Sequence, residues 1–216
     1  MDESTPANEN PKTASWLPPT TIELSLPDSE ISLTPSFLAA DDADKLLAEL
    51  ISDIAWEQRD IQLFGKTFKQ PRLIAWHGDA GASYTYSGTR FEPRPWTKPL
   101  QRVRDAVSTS CKSPLNSVLL NLYRDGRDSM GMHADDEPEL GPNPVIGSVS
   151  LGAERVLTLR HRYQKDQPSR RIPLPHGSLL VMRGPTQQYW KHGIAKQRRA
   201  CAPRINLTFR HIVGLP

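Results

Sequence analysis

Arg204-Ile205-Asn206-Leu207-Thr208-Phe209-Arg210 alternates without a break: Arg204, Asn206, Thr208 and Arg210 fall on one side of an extended chain, Ile205, Leu207 and Phe209 on the other. Successive side chains of a strand point to opposite faces, so one face is apolar and packs while the other carries two guanidinium groups. Two placements suit such a face. It is the solvated side of an antiparallel edge, or it is the inward wall of a barrel built to hold an anion. A second segment has the same habit: Val118, Leu120 and Leu122 face one way, Asn121 and Tyr123 the other. If both polar faces turn inward, they meet in one small binding cavity.

The rest of the chain agrees with a sheet protein. Short strands bounded by Gly and Pro are expected over Arg72–Trp76, Ser83–Tyr86, Ser117–Tyr123, Val145–Leu151, Arg155–Arg162, Arg170–Leu174, Ser178–Met182 and Arg204–Ile212. Two helices precede most of them. Phe37–Trp56 carries Leu46, Leu47, Leu50, Ile51 and Ile54 as an apolar stripe, with Asp41 or Asp42 as N-cap; Lys98–Ser108 carries Leu100, Val103 and Val107. Early helices followed by many strands imply a mainly β fold with flanking helices (α+β), an antiparallel sandwich or barrel.

A chain of 216 residues suffices for one domain with a sizeable core. Residues 1–29, rich in Pro, Ser, Thr and acids, are expected to be a disordered tail, and 30–216 a single domain. Cys111 and Cys201 make no disulfide framework and fit no metal spacing. With no apolar run of membrane length and an acidic start, the expectation is an intracellular protein without a membrane partner, and a monomer. The net charge of +3 hides an asymmetry: residues 155–210 hold 13 Lys and Arg against Asp166 alone, and the remainder holds 14 against 23 acids. Such a segment repels itself unless a polyanion faces it, although Arg-rich strand ends that merely stay wet would look the same.

Residues 131–137, Gly-Met-His133-Ala-Asp135-Asp136-Glu137, add chemistry. In an extended stretch His133 and Asp135 leave the same face, roughly 7 Å apart at Cα, and an imidazole and a carboxylate so placed can share a metal. One more His completes the 2-His-1-carboxylate triad of non-haem Fe(II). Composition alone yields about 0.67 His-x-acid matches, and His77-Gly78-Asp79 is a second one, so context decides. His176 lies in a turn and His211 ends the last strand; His161 is a further candidate. His192 comes 12 residues before Arg204, an order that sets an arginine where it can meet the far end of a dicarboxylate chelated by the metal.

Phe64-Gly-Lys66, Gly78-Asp-Ala-Gly-Ala-Ser-Tyr-Thr-Tyr-Ser-Gly88, Asn121-Leu-Tyr-Arg-Asp-Gly126, His133-Ala-Asp-Asp-Glu137, His176-Gly-Ser-Leu-Leu180 and Ala202-Pro-Arg-Ile-Asn-Leu-Thr-Phe-Arg210 together resemble the AlkB family of Fe(II)/2-oxoglutarate-dependent nucleic-acid dealkylating dioxygenases, most of all its homologue-2 type. The resemblance covers about Phe64 to Ile212. It implies a double-stranded β-helix, a jelly-roll barrel, iron on His133, Asp135 and His192, and O2 as second co-substrate. It also implies that 2-oxoglutarate pairs its distal carboxylate with Arg204, helped by Asn121 and Tyr123. Arg210 would then lie near the keto-acid end and Asn206 on the same wall. Arg forks suit carboxylates.

The implied reaction is oxidative demethylation of N-alkylated bases such as 1-methyladenine and 3-methylcytosine in DNA, duplex included. A stacked base cannot reach a buried iron, so it must be flipped out. Residues 60–95 would form the nucleotide-recognition region, with Tyr84 and Tyr86 lining the base, Phe64 filling the stack, and Asp136 and Glu137 at the base edge. Lys66, Arg72, Arg170, Arg171, Arg198 and Arg199 would meet phosphates. The location follows the substrate: cytoplasm or nucleoid in a bacterium, nucleus in a eukaryote. Three other readings stay open: the same chemistry on RNA, a non-catalytic nucleic-acid-binding β-barrel, and a metallohydrolase.

Overall fold

Residues 20–63, 66–86 and 89–213, which the computed structural model describes, hold fifteen short strands, three α-helices and one 3-10 turn at Pro138–Leu140. In chain order the strands and α-helices are β1 (Ile22–Leu24), β2 (Glu30–Thr34), α1 (Ala40–Asp53), β3 (Asp60–Leu63), β4 (Lys66–Lys69), β5 (Leu73–Gly78), β6 (Tyr84–Tyr86), β7 (Thr89–Phe91) and α2 (Lys98–Cys111). After these come β8 (Ser117–Tyr123), β9 (Met130–His133), β10 (Ile146–Gly152), β11 (Arg155–His161), β12 (Arg170–Leu174), β13 (Ser178–Arg183), α3 (Thr186–Tyr189), β14 (Trp190–Ile194) and β15 (Arg204–Arg210). A seven-stranded sheet runs β1-β2-β13-β10-β15-β8-β5 and a four-stranded sheet β12-β11-β14-β9; β3–β4 and β6–β7 are separate hairpins. This is the double-stranded β-helix.

Period-two alternation sorts the two cores. Outward residues of the large sheet, Val118, Leu120, Leu122, Val149, Leu151, Ile205, Leu207 and Phe209, pack against Ala43, Leu46 and Leu50 of α1 and Leu100, Val103 and Val107 of α2. Inward residues Leu119, Tyr123, Ile146, Leu180 and Met182 meet Leu157, Leu159, Ile172, Leu174 and Ile194 of the small sheet. Contact under α2 is so close that a Cβ on Gly147 would overlap Val107 Cγ1. The polar face of β15 thus lies between two sheets, on the barrel interior and not on a solvated edge.

Several expectations need correcting. Of the tail expected over residues 1–29, Ile22–Leu24 pairs antiparallel with Ile31–Leu33 and Trp190 Nε1 donates to Pro27 O at 2.8 Å, so Ile22–Leu24 belongs to the sheet and Pro27 is tied to β14. Residues 1–19 lie outside the described ones. Helix α1 is shorter than Phe37–Trp56, and Ala39 stands at its N-cap without a side-chain bond; Asp41 and Asp42 sit in the first turn, where they complement the helix dipole instead of capping. The second helix runs on to Cys111, ending at Lys112 in the left-handed conformation. Four elements not expected from the sequence, β2, β9, α3 and β14, carry or brace the site described next.

Candidate active site

The inward rows of β8, β15 and β10 line up by register: Tyr123 faces Arg204, Asn121 faces Asn206 and Asn206 faces Ser150, and Thr208 faces Ser148. Hydrogen bonds join them across the wall. Asn206 Nδ2 donates to Ser148 Oγ at 2.8 Å, Thr208 Oγ1 to Asn206 Oδ1 at 2.9 Å, and Arg204 Nη2 to Ser150 Oγ at 2.9 Å. The same cavity is lined by His133, Asp135, His192 and Arg210, and by Leu157, Leu174, Leu180, Met182 and Ile194.

At one end His133, Asp135 and His192 bring a ligand atom each to within 4.8 Å of one another. β9 ends at His133, so Asp135 does not share its strand; the loop after β9 turns the carboxylate back toward the imidazole, with 3.6 Å between His133 Nε2 and Asp135 Oδ1. Gln187 on α3 helps to fix that turn, its Oε1 accepting from Asp135 N at 2.9 Å. His192 is the direct cross-strand partner of His133, and the rings lie 4.3 Å apart. Gly193 permits this approach: a Cβ there would press on Met130 O and Gly131 O at 2.9 and 3.0 Å. His133 Nδ1 lies 3.0 Å from Gly131 O, which fixes the proton on Nδ1 and leaves the Nε2 lone pair toward Asp135.

Electrostatics hold these donors in metal-binding form. Burial on its own would raise the Asp135 carboxyl, but Arg210 and then the two histidines outweigh it and keep it at about 2. Arg210 Nη2 lies 2.9 Å from Asp135 Oδ1, both side chains being buried. Burial, then the neighbouring His133, push the His192 imidazole down to about 3. At neutral pH the group therefore offers one carboxylate and a neutral imidazole, as a divalent metal requires.

At the other end stands Arg204, 1% exposed, with Nε and Nη1 finding no hydrogen-bond partner among the described residues and the guanidinium 5.0 Å from the Tyr123 ring centroid. Burial pulls its pKa down, Tyr123 opposes, and Arg155 pulls it further. A buried cation with spare donors is costly unless an anion completes it. Nitrogen and carboxylate donors at one end and this arginine at the other fit a metal and a dicarboxylate.

Sequence reasoning misplaced one residue and missed two others. Arg72, expected on phosphate, is 4% exposed and donates from Nε to Asn121 Oδ1 at 2.6 Å; it lies just before β5, which pairs with β8, so its side chain turns onto the barrel wall. It is removed from the phosphate set. Arg155, 1% exposed, donates to Asp125 O, Asp128 O and Ala195 O and stacks on Tyr123. No pattern marked Arg155 or Gln187, but the Ser148–Ser150 alternation of β10 was readable.

Among the other expected residues, Asp136 is paired with Arg162 Nη1 at 2.6 Å, and Glu137 is half-buried. Arg170, Arg171, Arg198 and Arg199 are exposed. Phe64 lies outside the described residues. The backbones of Lys66, Tyr84 and Tyr86 form β4 and β6, and their side chains lie outside the description. His77, the second His-x-Asp match, is buried on β5 beside Pro95 O at 2.8 Å and takes no part in the metal group. His176 is structural: its Nδ1 accepts from Gly152 N at 2.7 Å.

The family described as "2OG-Fe(II) oxygenase superfamily" matches residues 30–210. DNA oxidative demethylase ALKBH2 of Homo sapiens is 43% identical over 181 residues, 80% of this chain and 69% of that protein. Alpha-ketoglutarate-dependent dioxygenase alkB homolog 3 of Homo sapiens is 38% identical over 196 residues, 87% of this chain and 68% of that one. A solved structure, "The structure of OsALKBH1", superposes with a TM-score of 0.61 at 16% identity over 88% of this chain and 99% of that chain, a likeness of fold.

Proposed function

The chain belongs to the 2OG-Fe(II) oxygenase superfamily, and from that premise we propose that it is a DNA oxidative demethylase acting on N-alkylated bases in single and double strands. The relatives named as DNA oxidative demethylases support this reading. The observation that carries it is one cavity holding the His133/Asp135/His192 group at one end and Arg204, with its spare N–H donors, at the other.

His133, Asp135 and His192 would hold Fe(II), while Arg204, Asn121 and Tyr123 would hold the distal carboxylate of 2-oxoglutarate. Fe(II) with 2-oxoglutarate and O2 supplies the oxidation of an N-methyl carbon to the unstable hemiaminal, with succinate and CO2 as co-products. The chain's own residues prepare that event. Arg210 keeps Asp135 ionised and fixed; Arg72 takes the Asn121 carbonyl oxygen and so leaves its amide N–H2 as the end that can donate into the cavity. The apolar residues of the small sheet exclude bulk water from the same space.

On the substrate side, Tyr84 and Tyr86 are proposed to line the flipped base, Asp136 and Glu137 to meet its edge, and Phe64 to fill the gap in a duplex. Residues 60–95 are proposed as the recognition region around a single dioxygenase domain. The exposed Arg170, Arg171, Arg198 and Arg199, with Lys66, supply phosphate contacts. The protein is proposed to work as a monomer inside the cell, where its DNA lies.

Anaerobic difference spectra with Fe(II), with and without 2-oxoglutarate, test the site: a visible charge-transfer band is expected when the keto acid chelates. Formaldehyde released on admitting O2 with a 1-methyladenine oligonucleotide tests the activity. A band without formaldehyde would keep the oxygenase and overturn the DNA substrate.

A further inference from the structure

Tyr163 is 67% exposed, the largest exposure among the large hydrophobic side chains of the described residues. It stands in the turn between β11 and β12, with the exposed Arg160 and Lys165 close to it in the chain and the exposed Arg170 and Arg171 opening β12. It is not a loose side chain. The ring meets His161 at 6.3 Å and 73°, and Tyr189 at 6.0 Å and 81°. Both neighbours cross it nearly at right angles and prop the ring, and Arg162 Cζ lies over it at 6.0 Å from its centroid, so a base would be offered the opposite side of a ring that remains 67% exposed. His161 is itself pinned: its side chain is buried, Asp28 Oδ2 lies 3.3 Å from its Nε2, and the backbone N–H of Gln164 donates to Nδ1 at 2.9 Å.

The ring is also rooted near the metal group. Leu159 is the cross-strand partner of His192 and His161 that of Trp190, and Tyr163 follows Leu159 by four residues, a chain span of at most about 14 Å. Arg162, which lies between His161 and Tyr163 in the chain, bonds Asp136 at 2.6 Å and Gln187 O at 3.2 Å, and Gln187 holds Asp135 N. A strand whose target base entered the cavity could reach this ring within about four stacked nucleotides at ~3.4 Å each.

A rigid upright aromatic among cations is how proteins bind unpaired nucleobases: the ring stacks on the base and the cations follow the phosphates. Resting on the proposed nucleic-acid substrate, we propose that Tyr163 is a stacking platform for an unpaired nucleobase flanking the alkylated one, so that it strengthens single-strand binding more than duplex binding. In a duplex the flanking bases stay stacked on their own neighbours and have no face to offer.

The test uses the full chain and short single-stranded oligonucleotides that carry 1-methyladenine and a 2-aminopurine placed one to four nucleotides to either side. Stacking quenches 2-aminopurine, so quenching at one flanking position is expected. Tyr163→Ala should abolish it and weaken single-strand binding at least fivefold, Tyr163→Phe should retain both, and duplex affinity and the salt slope should stay within twofold of the unsubstituted chain. Unchanged quenching and affinity in Tyr163→Ala, or equal losses on both substrates, would overturn the platform while leaving the demethylase reading intact. Failure of the unsubstituted chain to bind either oligonucleotide would overturn the reading on which the platform rests. Because Tyr163 is exposed, an unchanged melting temperature separates lost stacking from lost folding.

Discussion

Two sets of arginines in this protein share a side chain and little else. Arg72, Arg155, Arg204 and Arg210 are each at most 4% exposed, and each aims at a defined acceptor: the Asn121 amide, backbone carbonyls, the Ser150 hydroxyl and the Asp135 carboxylate. Arg170, Arg171, Arg198 and Arg199 are exposed and set in or beside turns. Removing water makes every remaining contact of a charge strong and makes its loss costly. Exposed charges are screened and act by their number. The inner set should therefore fail one residue at a time, and the outer set only gradually.

The sharpest break comes at the inner end that meets the metal group. Asp135→Ala removes a proposed metal donor and strands the buried Arg210, so turnover should fall below detection while oligonucleotide affinity, assigned to the proposed outer phosphate contacts, stays within twofold. Because breaking a buried ion pair can cost ~3–5 kcal/mol of stability, Asp135→Asn serves as the folded control and should also lose Fe(II) binding in an anaerobic titration. Turnover by either variant would remove Asp135 from the ligand set.

Arg204→Ala comes next. A charge-assisted hydrogen bond to a carboxylate is worth roughly 1.5–3 kcal/mol, so the apparent affinity for 2-oxoglutarate should drop at least tenfold, with oligonucleotide affinity unchanged. Equal losses of both would place Arg204 with the outer set and dissolve the distinction. A smaller effect is expected from Arg72→Met. If Arg72 works only by holding Asn121, the KM for 2-oxoglutarate should rise about fivefold, the worth of one hydrogen bond, and the salt dependence of DNA binding should not move. A shallower salt slope would return Arg72 to the phosphate set.

The same contrast explains what was legible in the sequence. The alternation of Arg204 to Arg210 and of Val118 to Tyr123 separated a polar face from an apolar one, because a period of two survives any arrangement of the sheets; that the polar face turns inward followed only from the pairing of β15 with β8 and β10. His133, Asp135 and His192 were reachable because metal chemistry restricts residue type and spacing. Arg72 was misplaced because it follows Lys66 and Lys69, and charge alone does not say which way a side chain turns at the start of a strand; only pairing of β5 with β8 does. Gln187 and Arg155 left no trace in any pattern, since each makes its contacts across the fold, with Asp135, 52 residues away, and with Asp128 and Ala195, 27 and 40 residues away. The early strand Ile22–Leu24 was hidden in a polar, Pro-rich stretch because a three-residue edge strand needs little apolar surface.

The smallest expected effect belongs to the outer set. Arg198 and Arg199 sit in the loop between β14 and β15, which is tied back to the barrel by Gln197 N donating to Gly126 O at 2.7 Å, so the loop is fixed while its guanidinium groups remain in water. An exposed ion pair is modest and screened. Arg198→Ala and Arg199→Ala should each weaken DNA binding at physiological salt by no more than about fivefold. Their signature is elsewhere: each phosphate contact removed should make the slope of log K against log salt shallower by about 1, with the effect the same on methylated and unmethylated DNA and the KM for 2-oxoglutarate unaltered. A titration from low to high salt with the double variant reads this directly. A slope identical to that of the unsubstituted chain would mean that this loop does not touch phosphate, and that the excess of positive charge from residue 155 onward serves the inner arginines and the β11–β12 turn alone.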